Sequence, residues 1–141
     1  MVIIISSGNF ITIKGEIVMA GKKSWYVVDG YRPPVHAGEV TDYEGHEAIM
    51  ILNCNKKDAH CVINVYYMDK DPDIGIKYTV PAERICAFRT NDPSVFGNVK
   101  LNVNQQYSLC ITSDVDVIVQ YGRLDINQPN LAYLATLGYA E

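Results

Sequence analysis

The sequence has no CxxC pair, no glycine-rich phosphate loop, no GxSxG and no HExxH. No apolar run approaches the roughly 20 residues that a membrane-spanning helix needs. Its cysteines, Cys54, Cys61, Cys86 and Cys110, stand far apart, which removes zinc ribbons and thioredoxin-like redox sites. Three of them lie in apolar runs, so reduced, inert thiols in a cytoplasmic protein are expected rather than a disulfide framework. Basic charge is also short. Twelve Lys+Arg against sixteen Asp+Glu give a net charge of -4, which argues against a dedicated nucleic-acid binder. Leucine is scarce, with 7 residues against 15 Ile and 15 Val, and there are 10 Tyr. That balance excludes a helical bundle, because β-branched and aromatic side chains fit a pleated surface.

What remains is a chain of 141 residues, enough for one domain with a real core. Short apolar segments punctuated by turn residues recur along it. Strands are expected at 24–28, 46–53, 60–68, 76–80, 83–88, 107–112, 116–124 and 132–140, with an irregular stretch over 89–106. Residues 60–68 alternate well, with Cys61, Ile63, Val65 and Tyr67 on one face. The segment 46–53, HEAIMILN, is apolar on both faces and is expected to be covered on two sides. Eight short antiparallel strands predict an all-β sandwich of jelly-roll type.

Residues 1–20 differ from the rest, being apolar and uncharged up to Lys14. Lys14-Gly15-Glu16 matches a purine-rich ribosome-binding site read as protein, just ahead of Met19. The expectation is an N-terminal extension over 1–20, a translated leader, followed by a single sandwich domain over 21–141. An additional strand around Phe10–Ile13 is the alternative.

No residue set matches a known catalytic template, so the chain is read as a non-enzyme without cofactor or metal. His46 and His60 would bind a metal with Glu47 only if neighbouring strands brought them together. Trp25, on the first strand, is either core or a stacking face for a sugar ring. Arg84, Arg89 and Arg123 lie in or at the ends of strands, where a guanidinium needs an acid, a partner chain or an anionic ligand. Arg123 and Asp125, two residues apart in an extended strand, project to one face.

The blocks WYVVDGYRPP, GHEAIMILN, DAHCVINVYYMDKDP, YTVPAERICAFRTND and VIVQYGRLDINQ, in this order, resemble the sensory rhodopsin transducer family over about Trp25 to Tyr139. The resemblance implies a jelly-roll β-sandwich, a cyclic homotetramer, and signalling through a small polar ligand, sugar-like or anionic, or through a membrane photoreceptor. Positions matching the family's polar blocks are Trp25, His46, Glu47, Arg84, Arg89, Asn91, Asp92, Gln120, Arg123 and Asp125. Tyr121-Gly122 departs from the His-Thr of the family prototype and puts in doubt any role for a histidine beside Arg123. The competing readings are a transcription-linked adaptor touching DNA and a small enzyme without a recognisable motif.

Overall fold

The structure, a computed structural model, describes residues 21–35, 43–128 and 130–141. The expectations for residues 1–20 fall outside these. Elements follow in the order β1 (Lys22–Tyr31), β2 (His46–Asn53), β3 (Ala59–Tyr67), β4 (Asp73–Val80), β5 (Arg84–Arg89), α1 (Pro93–Phe96), β6 (Gln106–Asp125), β7 (Ala132–Leu137) and β8 (Tyr139–Ala140). Every pairing between strands is antiparallel. The all-β class is as expected.

Two sheets share β6. The first half of β6 pairs with β1 and β3, completing the order β4-β3-β6-β1-β8. Its second half pairs with β2 and β7, and β5 lies outside β2. The strand changes sheet at a corner. Thr112 opposes Ser24 while Val117 opposes Lys22, so β6 spends the intervening residues turning. The two segments expected at 107–112 and 116–124 are therefore one bent strand. The expected strand at 132–140 instead divides at Gly138, with β7 on one sheet and β8 on the other.

Inner faces of both sheets meet in one core, including Trp25, Ile49, Ile51, Ile63, Val65, Leu109, Ile111, Val117 and Val119. The alternation expected for β3 holds, with Ala59, Cys61, Ile63 and Val65 buried. The irregular stretch after β5 contains one helical turn. Asp92 caps it by accepting from Ser94 N at 2.8 Å, Pro93 starts it, and Phe96 packs on Phe88.

β2 departs from expectation. It is not covered on both sides: Glu47, Ile49, Ile51 and Asn53 are buried, whereas the opposite face is half-buried to exposed. Its inner face is thus polar at each end and apolar between. At one end Asn53 Nδ2 donates to the carbonyls of Lys57, Val80 and Pro81, and Oδ1 accepts from Asn55. Glu47 holds the other end.

A bulge in β1 serves that second end. Val27 opposes Leu109 and Gly30 opposes Tyr107, so β1 carries one residue more than its partner. Val28 and Asp29 both face outward, and the inward phase of Trp25 and Val27 resumes at Gly30. A Cβ on Gly30 would lie 2.7 Å from the Tyr107 ring. Gly30→Ala is therefore expected to displace that ring and to cost about 1–3 kcal/mol. Denaturant unfolding of the variant checks this.

Candidate functional site

Glu47 is fully buried, with zero exposure. A lone carboxylate there would be prohibitive, and the fold surrounds it with donors. Oε1 accepts from Tyr31 N at 2.8 Å and from the Tyr121 hydroxyl at 2.5 Å. Oε2 accepts from the Thr90 hydroxyl at 3.0 Å and from the Tyr107 hydroxyl at 2.7 Å. Each oxygen has two donors, which fills a carboxylate's lone pairs. The donors come from β1, from the residue after β5, and from both halves of β6. The corner in β6 is what lets Tyr107 and Tyr121 reach one acceptor from opposite sheets.

Burial is the first cause that raises the phenol pKa values of Tyr107 and Tyr121 well above 10, and the Glu47 charge adds to it. Both rings remain neutral donors. Arg123 opposes Glu47 in the β2–β6 ladder, so the two share a face. With the carboxylate filled, Arg123 instead lies over the Tyr31 ring at 5.5 Å, and Tyr31 Oη donates to Asn104 Oδ1 at 2.8 Å. Among the described residues Arg123 makes no ion pair. Asp125 is no partner to it: Asp125 Oδ1 accepts from Asn127 N in a local turn. Arg32 continues beyond β1, pinned by Arg32 N donating to Gln105 O and by Asn104 N donating to Arg32 O.

The residues singled out in the sequence separate into three groups. Glu47 and Arg123 face this internal cluster, with Asp125 just beyond. His46 and Arg89 sit on the outer face of the same end, where Arg89 Nη1 pairs with Glu44 at 2.8 Å and His46 Nδ1 meets Glu44 O at 2.8 Å. Trp25, Arg84 and Gln120 lie elsewhere. Trp25 is core, its Nε1 donating to Lys22 O and Val117 O. It has no face left for a sugar. Arg84 is exposed beside Asn53 and donates to Glu83 O. Gln120 is exposed in mid-sheet between Met50 and Leu137. His60 pairs with Thr79 at the Asn53 end, remote from His46, so the metal arrangement with Glu47 does not form.

Tyr31, Arg32, Thr90, Tyr107 and Tyr121 escaped the sequence reading. Parity was the signal for two of them: Tyr107 is in phase with Leu109 and Ile111, and Tyr121 with Val117 and Val119, as Glu47 is with Ile49 and Ile51. The departure at Tyr121-Gly122 also acquires a reason. Tyr121 serves Glu47, while Gly122 leaves room for the Tyr133 hydroxyl, which would stand 2.7 Å from a Cβ.

Fold and site together define a small antiparallel β-sandwich with a polar cluster sealed into one end of its core. The chain belongs to the Anabaena sensory rhodopsin transducer family, whose model matches residues 20–140. It is similar to the solved structure of Anabaena sensory rhodopsin transducer, with a TM-score of 0.60 and 32% identity over 72% of this chain and 82% of that one. It shares its fold with Thermotoga maritima 1070, with a TM-score of 0.73 and 24% identity over 87% of this chain and 97% of that one. A search of curated proteins finds no match.

Glu47→Gln replaces an acceptor with an amide that donates toward hydroxyls. With charge-assisted bonds worth about 1.5–3 kcal/mol each, a loss of more than about 3 kcal/mol is expected. Arg89→Gln, breaking a half-exposed pair, should cost less than about 1 kcal/mol. Chemical denaturation of the two variants makes the comparison. The phenols predict an alkaline limit. Their folded pKa values lie above the unfolded value near 10, so the stability they contribute is intact below pH 10 and is lost as pH rises through the folded values. Ultraviolet titration should show these tyrosinates appearing with unfolding, and not as a separate earlier phase.

Proposed function

We propose that this chain is a cytoplasmic signalling protein without catalytic chemistry. It binds a small polar ligand, sugar-like or anionic, at the Glu47–Arg123 end and passes the bound state to a receptor partner. The observation that carries this is Arg123, an inward-facing, half-buried guanidinium held over the Tyr31 ring beside a carboxylate already filled. Such an arrangement offers a ligand one aromatic surface and one charged donor set. Tyr31 takes the stacking role considered for Trp25. The similarity to Anabaena sensory rhodopsin transducer supports the signalling reading, with a membrane photoreceptor as the candidate partner. No helix among the described residues is long and apolar enough to cross a membrane.

The same reading takes the chain as a homotetramer. Support comes from an apolar strip formed by β1, β7 and β8, where Val28 is 71% exposed, Leu137 61% and Tyr139 65%. With Tyr26 and Leu134 these side chains line a shallow hollow of about 230 Å³. A strip of this kind, polar at its margins, suits association with further copies.

Thermal-shift measurement against sugars, small carboxylates and phosphates tests the ligand, because a molecule that binds the native state raises its melting temperature. Arg123→Ala should remove the shift and itself cost less than about 1 kcal/mol, since it loses one cation–π contact and no ion pair. A shift unchanged in that variant overturns the assignment. Light scattering tests the tetramer, and a monomer at micromolar concentration defeats it.

A further inference from the structure

Arg32 buries N–H groups that meet no acceptor among the described residues. The residue is 6% exposed, and its buried Nε and Nη1 have no hydrogen-bond partner among the described residues. Its direction follows from the β1 bulge. Gly30 faces inward beneath the Tyr107 ring, and Arg32, two residues on with its backbone still bonded across to Gln105, holds the same phase. It therefore enters the end of the sandwich where Tyr107 meets Glu47. Three side-chain acceptors among the described residues of that neighbourhood are already engaged. Glu47 has two donors on each oxygen. Asn104 Oδ1 accepts from Tyr31, and Gln105 Oε1 accepts from Asn102 N.

A buried guanidinium is stable when its N–H groups meet acceptors and its charge meets an opposite charge. The four donors on Glu47 are neutral, so its single negative charge stands against two guanidiniums, Arg32 and Arg123, and a positive charge is left in excess among the described residues at this end. The missing component is an acceptor that is itself negative. We propose that Arg32 receives the oxyanion, a carboxylate or a phosphate, of a small ligand taken up at this end, an inference that rests on the ligand reading above. The ligand's uncharged, hydroxyl-bearing part would then lie toward Tyr31 and Arg123. Charge-assisted contacts to a guanidinium favour planar carboxylate and phosphate over a neutral hydroxyl.

Calorimetric titration of the full chain with a neutral hexose, a hexuronate, a hexose phosphate and inorganic phosphate tests this. At least one oxyanion probe should bind more tightly than the neutral hexose, and the comparison of hexuronate with the phosphates tells which oxyanion is preferred. Arg32→Lys should weaken that binding by at least about tenfold, because an ammonium lacks the guanidinium's planar donor set. Since Arg32→Lys also perturbs a buried position, the Arg32 Nε–H resonance in the unaltered protein supplies an independent reading. It should shift on titration with the oxyanion. No oxyanion binding up to about 10 mM, an unmoved Arg32 resonance at saturation, or equal binding of the neutral hexose overturns the proposal. Oxyanion binding lost in Arg123→Ala but kept in Arg32→Lys would leave the ligand site standing and remove Arg32 from it.

Discussion

One carboxylate organises the end of this sandwich. Glu47 accepts from the backbone of β1, from a hydroxyl just after β5 and from tyrosines on both halves of β6. These donors are distant in sequence, so they converge only if the β1 bulge, the β6 corner and the β2 register are all correct. The cluster thus checks several tertiary features at once. The cost of an error is high because any donor left behind would be buried and unpaired.

The two ends of β2 show how similar polar groups lead to different properties. Asn53 engages three carbonyls as donor and Asn55 as acceptor, and its end of the core is closed and neutral. Glu47 is equally well bonded but leaves charge behind. Its donors are neutral, so Arg123 turns to an aromatic ring and Arg32 has unpartnered N–H groups among the described residues. A structural polar group consumes its own bonding capacity, whereas a binding site retains some. That difference is what supports proposing a ligand at the Glu47 end.

The corner in β6 also explains why the exposed strip lies where it does. By carrying β6 from one sheet to the other, it places β7 on the second sheet, while the chain after Gly138 returns to β1 on the first. The C-terminal segment therefore bridges the two sheets at their margin, and Leu134, Leu137 and Tyr139 remain outside the core. Tyr139 meets the Tyr26 ring there, and the rest of this apolar surface stays open to solvent.

Local pattern determined the all-β class, most strand positions, the alternation of β3 and the coincidence of the 46–53 segment with β2, because β-branched and aromatic side chains at a period of two are sufficient for those. Glu47, Arg123 and Asp125 were also recognisable as polar residues in strands, but the 46–53 segment read as apolar on both faces, so the inward phase of Glu47 with Ile49 and Ile51 emerged only in the structure. Its partners were not legible. Tyr107 and Tyr121 resemble ordinary inward aromatics until the corner at 113–116 brings both onto one acceptor. Arg32 reads as a loop residue after an extended segment, and only the bulge at Val28–Asp29 gives it an inward phase. Trp25 was ambiguous in sequence, since a core ring and a stacking ring have the same local pattern, and its backbone hydrogen bonds decided for the core. Local pattern sets which way a side chain faces along its own strand. Which groups it meets depends on register, bulges and sheet crossings, and those are set by contacts between residues far apart in the chain.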